Sequence, residues 1–459
     1  MKKINNLLKS LHQKGLLNDN GADRSGWARQ PSWEKEIKSR LKQFLEIAKD
    51  KTDFVFIGMG GSINTVKAIG NILGNNGENK VFTLDSLDPE AISELIPKID
   101  PGKTLVIGIS KSGTTKETAQ LAKTLKDICG DFLWLTDPQN EEKIKKNEWQ
   151  DTIILPIQVD GQADIGGRFT APHTLISFLP LLILNNKDLV RVEEIWNEYL
   201  SCSNDLVEIT IDTARLLDSS VSNFAICLPE NLCPALETWI IQLLQESLGS
   251  KKDGYNPKTM VVNKDQIPED FDLIAWDVET DNEVVRAMTT MYLAQVLVAQ
   301  IALTQTVNFV NQPGVEKYKD EMRKMADGKT LEAKIATLDE LMRETEKKLK
   351  ENDYKFIETV CYWHLTEEER QKLKVNLEKR FSDKIVLVFT GSDWNHHSYQ
   401  AANQNQDTLF LILTKPNYLD SIKNIDSKKL KENIEDLKII AGATYKTISD
   451  KAIFLSLTN

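Results

Sequence analysis

The stretch TLVIGISKSGTTKETAQLAKTLKDI, residues 104–128, decides the fold of this chain. Its first six residues are an uninterrupted apolar run that predicts a buried strand, and the apolar spacing after Lys116 predicts an amphipathic helix. A loop rich in hydroxyl groups lies between them. Buried strand, polar loop and helix in succession are typical of a parallel sheet covered by helices.

The same alternation recurs on both sides of this stretch. A first series of strand-like runs precedes a mostly helical segment at 171–220, and a second series follows it. We therefore predict an α/β protein with two doubly wound parallel-sheet lobes and peripheral helices. Each lobe would have three layers, with one sheet between two layers of helices (αβα). The first series comprises 54–60, 81–84, 104–109, 132–136 and 152–156, and the second comprises 222–229, 259–262, 272–276, 385–391 and 408–414.

Changes in composition predict the domain boundaries. Residues 1–50 are rich in Lys, Glu, Leu and Trp and indicate an N-terminal helical segment. The first lobe then covers 51–215 and the second lobe covers 216–459. Within the second lobe, 316–350 is densely charged with an apolar stripe, which predicts a helical insertion.

The composition limits the classes of partner. The 459 residues carry a formal net charge of −11, which argues against a general nucleic-acid or membrane-surface binder. Five cysteines without a C-x-x-C pair and an amino terminus without a long apolar region indicate a cytoplasmic protein. The uncharged segment 288–315 raises the alternative of a membrane span, but its glutamines and Pro313 favour a buried helix followed by a loop.

The hydroxyl-rich loop is the clearest candidate binding site. It gathers short donors and backbone amides at a helix amino end, an arrangement that suits a phosphate monoester. A helix-capping box formed by Thr114 and Glu117 is the alternative, but it accounts for only these two residues. The candidate ligands are Ser110, Lys111 through its amide, Ser112, Thr115 and Thr118.

A glycine loop, GMGGS at 58–62, follows the first strand. Glycines there allow backbone N–H groups to approach an anion, so Gly61 and Ser62 are candidate ligands. A dinucleotide fingerprint would require a third glycine where Ile63 stands. A tight strand-to-helix turn without a ligand is the remaining alternative.

Together, these two loops resemble the sugar isomerase (SIS) fold. SKSGTTKET at 110–118 is very similar to the phosphate loop of glucose-6-phosphate isomerases, and GMGGS resembles their sugar-contacting loop. IGGRFT at 165–170 resembles the family's V-G-G-R-[FY]-S segment. The resemblance implies that Gly167 contacts substrate and that Arg168 stabilises an enediolate, a role that suits a permanently protonated guanidinium.

Two later segments also resemble the family. QESLG at 245–249 is similar to its E-S-x-G segment, which implies that Glu246 moves a proton between C2 and C1. NQPGVEKYK at 311–319 is similar to its D-Q-[WP]-G-V-E segment. This implies that Gln312 contacts substrate and that Lys319 assists ring opening, whereas Asn311 departs from the family's aspartate.

The family also uses a histidine for ring opening, and its position here departs from the usual order. No histidine lies between Glu246 and Gln312. The segment NHHSYQ at 395–400 resembles the L-H-S-x-G-Q segment of fused transaldolase–glucose-6-phosphate isomerases. His397 is therefore the first candidate and His396 the second, with His173 as a third.

The resemblance implies a glucose-6-phosphate isomerase that works through a cis-enediol without a metal or organic cofactor. It also implies a small sugar phosphate as substrate and a homodimer, with no role for nucleic acid or membrane. An isomerase for another 6-anionic sugar, such as mannose 6-phosphate, and a non-catalytic sugar-phosphate-binding regulator are the alternatives.

Overall fold

A computed structural model describes residues 2–146, 149–217, 223–249, 257–263, 271–311, 313–325, 331–396 and 398–458. The described residues form an α/β protein with parallel sheets, as the alternation predicts. The strands are β1 Asn18–Asp19, β2 Ala22–Asp23, β3 Asp53–Ile57, β4 Lys80–Leu84, β5 Thr104–Ile109, β6 Asp131–Thr136, β7 Ile153–Pro156, β8 Asn223–Cys227, β9 Lys258–Val262, β10 Asp272–Ala275, β11 Lys334–Ala336, β12 Phe356–Cys361, β13 Ile385–Thr390, β14 Thr408–Thr414 and β15 Ala452–Leu457.

The α-helices alternate with these strands over most of the chain. They are α1 Lys2–Gln13, α2 Lys38–Ile47, α3 Gly61–Leu73, α4 Pro89–Leu95, α5 Lys116–Leu125, α6 Glu141–Lys146, α7 Leu175–Leu184, α8 Leu189–Leu216, α9 Cys233–Leu248, α10 Glu283–Gln305, α11 Val315–Met325, α12 Leu338–Glu351, α13 Glu367–Arg380, α14 Tyr399–Ala402 and α15 Ser427–Thr447.

The first sheet has five strands in the order β4-β3-β5-β6-β7. All five predicted strands of the first series are present, and β5 has the predicted bounds. After β3, the chain adds β4 on one side of it and then adds β5, β6 and β7 on the other side. The reversal lies between β3 and β5, where parallel sheets bind ligands beyond their carboxyl ends. The glycine loop and the hydroxyl loop follow these two strands.

The second series of strands forms two sheets, which differs from the single second lobe predicted for 216–459. Strands β8, β9 and β10 make a three-stranded parallel sheet. Another parallel sheet has the order β11-β15-β14-β12-β13. The predicted series does not include its strands β11, β12 and β15. In β12, buried Glu358 interrupts the apolar run, and Trp394 Nε1 donates to that carboxylate.

The chain divides into two compact units that the predicted boundaries do not match. Unit one is Met1–Thr83, Ile99–Ala119 and Cys129–Gln312, and unit two is Leu84–Lys98, Gln120–Ile128 and Pro313–Asn459. The three-stranded sheet stays in unit one because α9 packs on β9 and α10 packs on α8 and α9. The predicted helical insertion 316–350 contains the short strand β11, so its apolar stripe is not one continuous helix face.

The uncharged segment enters the core of unit one as predicted. Helix α10 is long and apolar enough to cross a membrane, but 89% of its most apolar window is buried inside the protein. Two of its glutamines donate hydrogen bonds inside the protein: Gln295 Nε2 donates to the carbonyl of Ala171, and Gln300 Nε2 lies 3.4 Å from Thr304 Oγ1. The helix thus forms part of the hydrophobic core.

The N-terminal segment is more than peripheral. Trp27 is fully buried, and its ring lies 5.8 Å from that of Phe169 and 6.3 Å from that of Phe309. Phe169 directly follows Arg168 of the GGRF motif. Residues near the amino terminus therefore support the packing around this motif.

Candidate active site

The hydroxyl loop folds into a tight turn beyond β5. Ser110 Oγ donates to Thr115 Oγ1 at 3.1 Å and accepts the Thr115 N–H at 3.3 Å. Ser112 Oγ lies 2.9 Å from Thr114 Oγ1. Gly113 has a φ of +67°, and a Cβ there would lie 3.0 Å from a backbone carbonyl, so glycine is required. The hydroxyls are thus ordered by one another before helix α5 begins.

Thr118 has a buried polar atom that the protein leaves unsatisfied. It lies in the first turn of α5, is fully buried, and its Oγ1 has no hydrogen-bond partner among the described residues. A buried hydroxyl without a partner costs free energy, so a ligand oxygen that accepts from it is favoured. This observation fits the predicted phosphate role of Thr118.

The glycine loop and the GGRF motif meet at close range. Gly60 has a φ of +63°, and Gly61 begins helix α3. A Cβ on Gly61 would lie 2.7 Å from the Cα of Arg168 and 3.2 Å from the carbonyl oxygen of Gly167. Only glycine permits this backbone approach. Ser62, the next residue of the loop, is also buried.

Arg168 and Glu246 form a buried ion pair. Arg168 Nη1 lies 3.3 Å from Glu246 Oε1, and the exposed fractions of the two side chains are 2% and 3%. Arg168 Nε donates to Ser247 Oγ at 2.8 Å, and Nη2 donates to the carbonyl oxygen of Phe309. Burial lowers the pKa of Arg168 from its usual value, and Glu246 opposes that effect. The structure thereby joins residues 78 positions apart in sequence.

Gln242 completes the surroundings of the carboxylate and was missed in the sequence. Its Nε2 donates to Glu246 Oε2 at 2.9 Å, and its Oε1 accepts from Asn64 Nδ2 at 3.2 Å. Gln242 lies four residues before Glu246 on α9, a spacing that places both on one helix face. This spacing is the feature of the sequence from which the contact between Gln242 and Glu246 could have been predicted. Asn64 lies in α3, so the glycine-loop helix also supports Glu246 indirectly.

The two segments predicted to open the sugar ring meet in unit two. Gln400 Oε1 accepts the backbone N–H of Gly314 at 2.7 Å. The rings of Tyr318 and Tyr399 lie 4.7 Å apart at 72°. The lysine segment and the histidine segment are therefore in contact, although the two residues of this hydrogen bond lie 86 positions apart in sequence.

Individual residues of these segments differ in surroundings. Lys319 is half-exposed on α11, with Nζ 3.2 Å from Glu316 Oε1, and Lys317 is exposed. His396 ends a short helical turn, and its N–H donates to the carbonyl of Asp393 at 2.8 Å. Gln312 and His397, two of the predicted site residues, lie outside the described residues.

His173 is unsuited to ring opening. It is buried, with Nδ1 3.1 Å from the carbonyl oxygen of Trp27 and Nε2 2.6 Å from the Tyr199 hydroxyl. Tyr292 and Trp196 also contact its ring. Burial lowers the pKa of His173 to about 3, so the imidazole stays neutral at physiological pH. The third histidine candidate is a core residue.

Unit one thus combines three chemical capabilities. Its hydroxyl loop can hold an anion, its carboxylate can take a proton, and its guanidinium can stabilise developing negative charge. Among the residues that the structure describes, no group of three or more His, Cys, Asp or Glu side chains is arranged to hold a metal ion.

Comparison with known proteins finds partial matches to one enzyme family. Residues 35–147 match the family model of phosphoglucose isomerase. A glucose-6-phosphate isomerase of Thermus thermophilus is 32% identical over 167 residues, which are 34% of this chain and 38% of the relative. One from Rubrobacter xylanophilus is 25% identical over 273 residues, 53% of this chain and 61% of the relative. The matches thus span less than two thirds of these relatives.

Solved structures share the fold. A hypothetical protein of Thermus thermophilus has a TM-score of 0.56 at 23% identity, covering 70% of this chain and 95% of that one. A glucose-6-phosphate isomerase of Chlamydia trachomatis has a TM-score of 0.51 at 15% identity, covering 70% of this chain and 85% of that one. The predicted SIS-type α/β fold is confirmed.

Proposed function

We propose that this chain, a member of the phosphoglucose isomerase family, interconverts glucose 6-phosphate and fructose 6-phosphate. The observation that carries the proposal is the buried contact between Arg168 Nη1 and Glu246 Oε1. A buried acid–guanidinium pair suits proton transfer through an enediolate, because one group can move the proton and the other can stabilise the charge.

The phosphate end of the substrate is assigned to the hydroxyl loop. Ser110, Ser112, Thr115 and Thr118, with the backbone N–H of Lys111, would surround its oxygens. The buried, unpartnered Thr118 hydroxyl supports this assignment. Binding energy from the phosphate would then position C1 and C2, which lie far from it, against the reacting groups.

The roles at the reacting end follow from the family resemblance. His397, with His396 as the alternative, and Lys319 would open the ring, and Gln312 would contact the open-chain sugar. Glu246 would remove the proton from C2 and deliver it to C1 through a cis-enediol. Arg168 would stabilise that species, while Gly61, Ser62 and Gly167 would contact the sugar through their backbones.

The test of this proposal is a coupled assay of the purified chain with glucose 6-phosphate and with mannose 6-phosphate, with and without a chelator. We expect turnover of glucose 6-phosphate that the chelator does not change. In deuterium oxide, an isomerase should also introduce deuterium at C2 of glucose 6-phosphate. Sugar-phosphate binding without this exchange would indicate the non-catalytic regulator, and turnover of mannose 6-phosphate alone would indicate the other isomerase.

Glu246→Gln tests the assigned base. The amide keeps the shape of the carboxylate but cannot take a proton, so turnover should be lost while sugar-phosphate binding is largely retained. Glu237→Gln is the matched control, because Glu237 is partly exposed earlier on the same helix. Near-normal activity of Glu246→Gln would refute the mechanism.

We further propose that the enzyme acts in the cytoplasm, as part of glycolysis and gluconeogenesis, and that it forms a homodimer. Family resemblance supports the dimer, and the cysteine pattern supports the compartment. The mass in solution, measured by light scattering, tests the oligomeric state.

A further inference from the structure

The hydroxyl loop contains a lysine whose ammonium group is already engaged. Lys111 Nζ lies 3.3 Å from Asp137 Oδ2, and the exposed fractions of the two side chains are 22% and 3%. Asp137 directly follows β6, which neighbours β5 in the first sheet. The loop after one strand and the carboxylate after the next therefore meet at the same sheet edge.

The same segment also fixes the backbone of the loop. Thr136 Oγ1 donates to the carbonyl oxygen of Ser110 at 2.7 Å, and Asn140 Nδ2 donates to that of Lys111 at 2.9 Å. A Cβ on Gly113 would lie 3.0 Å from the Asn140 carbonyl oxygen. The segment Thr136–Asn140 therefore supports the loop from one side.

Charge makes the Lys111–Asp137 contact the most consequential of these. Burial raises the pKa of Asp137 and lowers the pKa of Lys111, and each partner opposes the effect on the other. Removal of one partner would leave an uncompensated buried charge, which is strongly destabilising. The contact between the loop and the end of β6 is therefore an ion pair that neither partner can lose without cost.

We propose that Asp137 is a positioning residue for phosphate binding. It holds the ammonium group of Lys111 and so keeps the loop donors in place, while the phosphate is bound by neutral hydroxyls and backbone N–H groups. The inference rests on the proposed function of this loop and names a residue to which the family resemblance assigned no role.

A double-mutant cycle tests this proposal. The variants are Lys111→Met, Asp137→Asn and the double variant, with dissociation constants measured by calorimetry for glucose 6-phosphate and for inorganic phosphate. Each single variant should weaken the binding of both ligands by about tenfold, because the free energy of the lost Lys111–Asp137 contact must then be supplied when the ligand orders the loop. KM should rise in parallel while kcat changes by less than about twofold.

The double variant separates a positioning role from direct contact. If Lys111 acts through Asp137, its loss should matter little once Asp137 is gone, and the two effects should not add. Lys111→Arg should restore affinity, because a guanidinium can also pair with the carboxylate. If Lys111→Met weakens phosphate as much in the Asp137→Asn background as in the wild type, Lys111 contacts phosphate directly and the proposal is wrong.

The matched control is a second lysine–aspartate pair, at the opposite end of strand β6. Lys51 pairs with Asp131, which begins β6, whereas Asp137 follows its end. Lys51→Met and Asp131→Asn should leave both dissociation constants unchanged. Phosphate binding without turnover in the wild type would refute the isomerase but not this inference. Failure of the wild type to bind phosphate would overturn both.

Discussion

At the scale of single residues, Gly61 has a second reason to be glycine. The glycine loop predicts that its backbone N–H groups approach an anion, and the structure shows that Gly61 also lies against the backbone of Gly167 and Arg168. This partner could not be read from the sequence, because about 100 residues separate the two segments. A glycine motif indicates that other atoms come close to the backbone, but only the fold shows which atoms these are.

Gly61→Ala should therefore destabilise the protein and reduce its activity. The added Cβ would lie 2.7 Å from the Arg168 Cα, and backbone atoms cannot move aside as a flexible side chain can. We expect a loss of about 1–3 kcal/mol in the free energy of unfolding, measured with urea. Gly70→Ala on the same helix is the control, since nothing lies within 4 Å of its Cβ position. Equal stability of the two variants would contradict this account.

His173 should contribute to loss of stability in acid. Its pKa is about 3 in the folded protein against 6.5 as the ordinary value, so below pH 6.5 the unfolded chain binds the additional proton. Stability should then fall with decreasing pH, by about 1.4 kcal/mol per pH unit from this group alone between pH 6.5 and about 3.

Unfolding free energies of the wild type and His173→Gln across this range measure the effect. The wild type should show the steeper dependence on pH, because only it carries the buried imidazole. His12→Gln is the control, since the side chain of His12 is 48% exposed. Identical slopes for the wild type and His173→Gln would show that this histidine does not titrate as inferred.

At the scale of secondary-structure elements, apolar runs predicted strands well and mixed runs did not. Strands β5 and β14 have the predicted bounds, because both are continuous apolar segments. Strand β12 carries Glu358, whose carboxylate is satisfied by Trp394 Nε1 from a distant segment. The sequence does not show that partner, so a glutamate in this position is expected to be exposed although it is buried.

The contact between helix α11 and the histidine segment should be measurable as a coupling energy. The rings of Tyr318 and Tyr399 meet edge to face at 4.7 Å, a geometry worth about 0.5–1.5 kcal/mol beyond the area that it buries. In a cycle of Tyr318→Leu, Tyr399→Leu and the double variant, unfolding free energies should depart from additivity by this amount. Strictly additive effects would mean that the two elements do not support each other.

At the scale of the whole molecule, alternation of strands and helices predicted the fold class but not the grouping of strands. The three-stranded sheet and the last five-stranded sheet follow each other in sequence, so they appeared to be one lobe. Their separation depends on helix packing, because α9 and α10 hold the three-stranded sheet in unit one. Likewise, the segment Leu84–Lys98 belongs to unit two, which no local pattern indicates.

The five-stranded sheet of unit two also reverses its strand order, between β12 and β14. The carboxylate of Asp88 contacts the segments that follow these two strands. Asp88 is fully buried there. Its Oδ2 accepts the backbone N–H of His364, which follows β12, at 2.7 Å, and lies 2.8 Å from Lys415 Nζ, directly after β14. An internal anion therefore takes the place where the other five-stranded sheet presents hydroxyls and glycines.

This difference predicts one sugar-phosphate site per chain. Calorimetric titration with glucose 6-phosphate should give a stoichiometry of one, because the buried Asp88 carboxylate beside the strand reversal of unit two would repel a phosphate. A Ser110→Ala/Thr115→Ala variant should abolish the whole binding signal, since it removes two of the proposed phosphate ligands of the hydroxyl loop. A wild-type stoichiometry of two, or half of the signal remaining in this variant, would show that the second sheet binds the sugar phosphate despite its internal carboxylate.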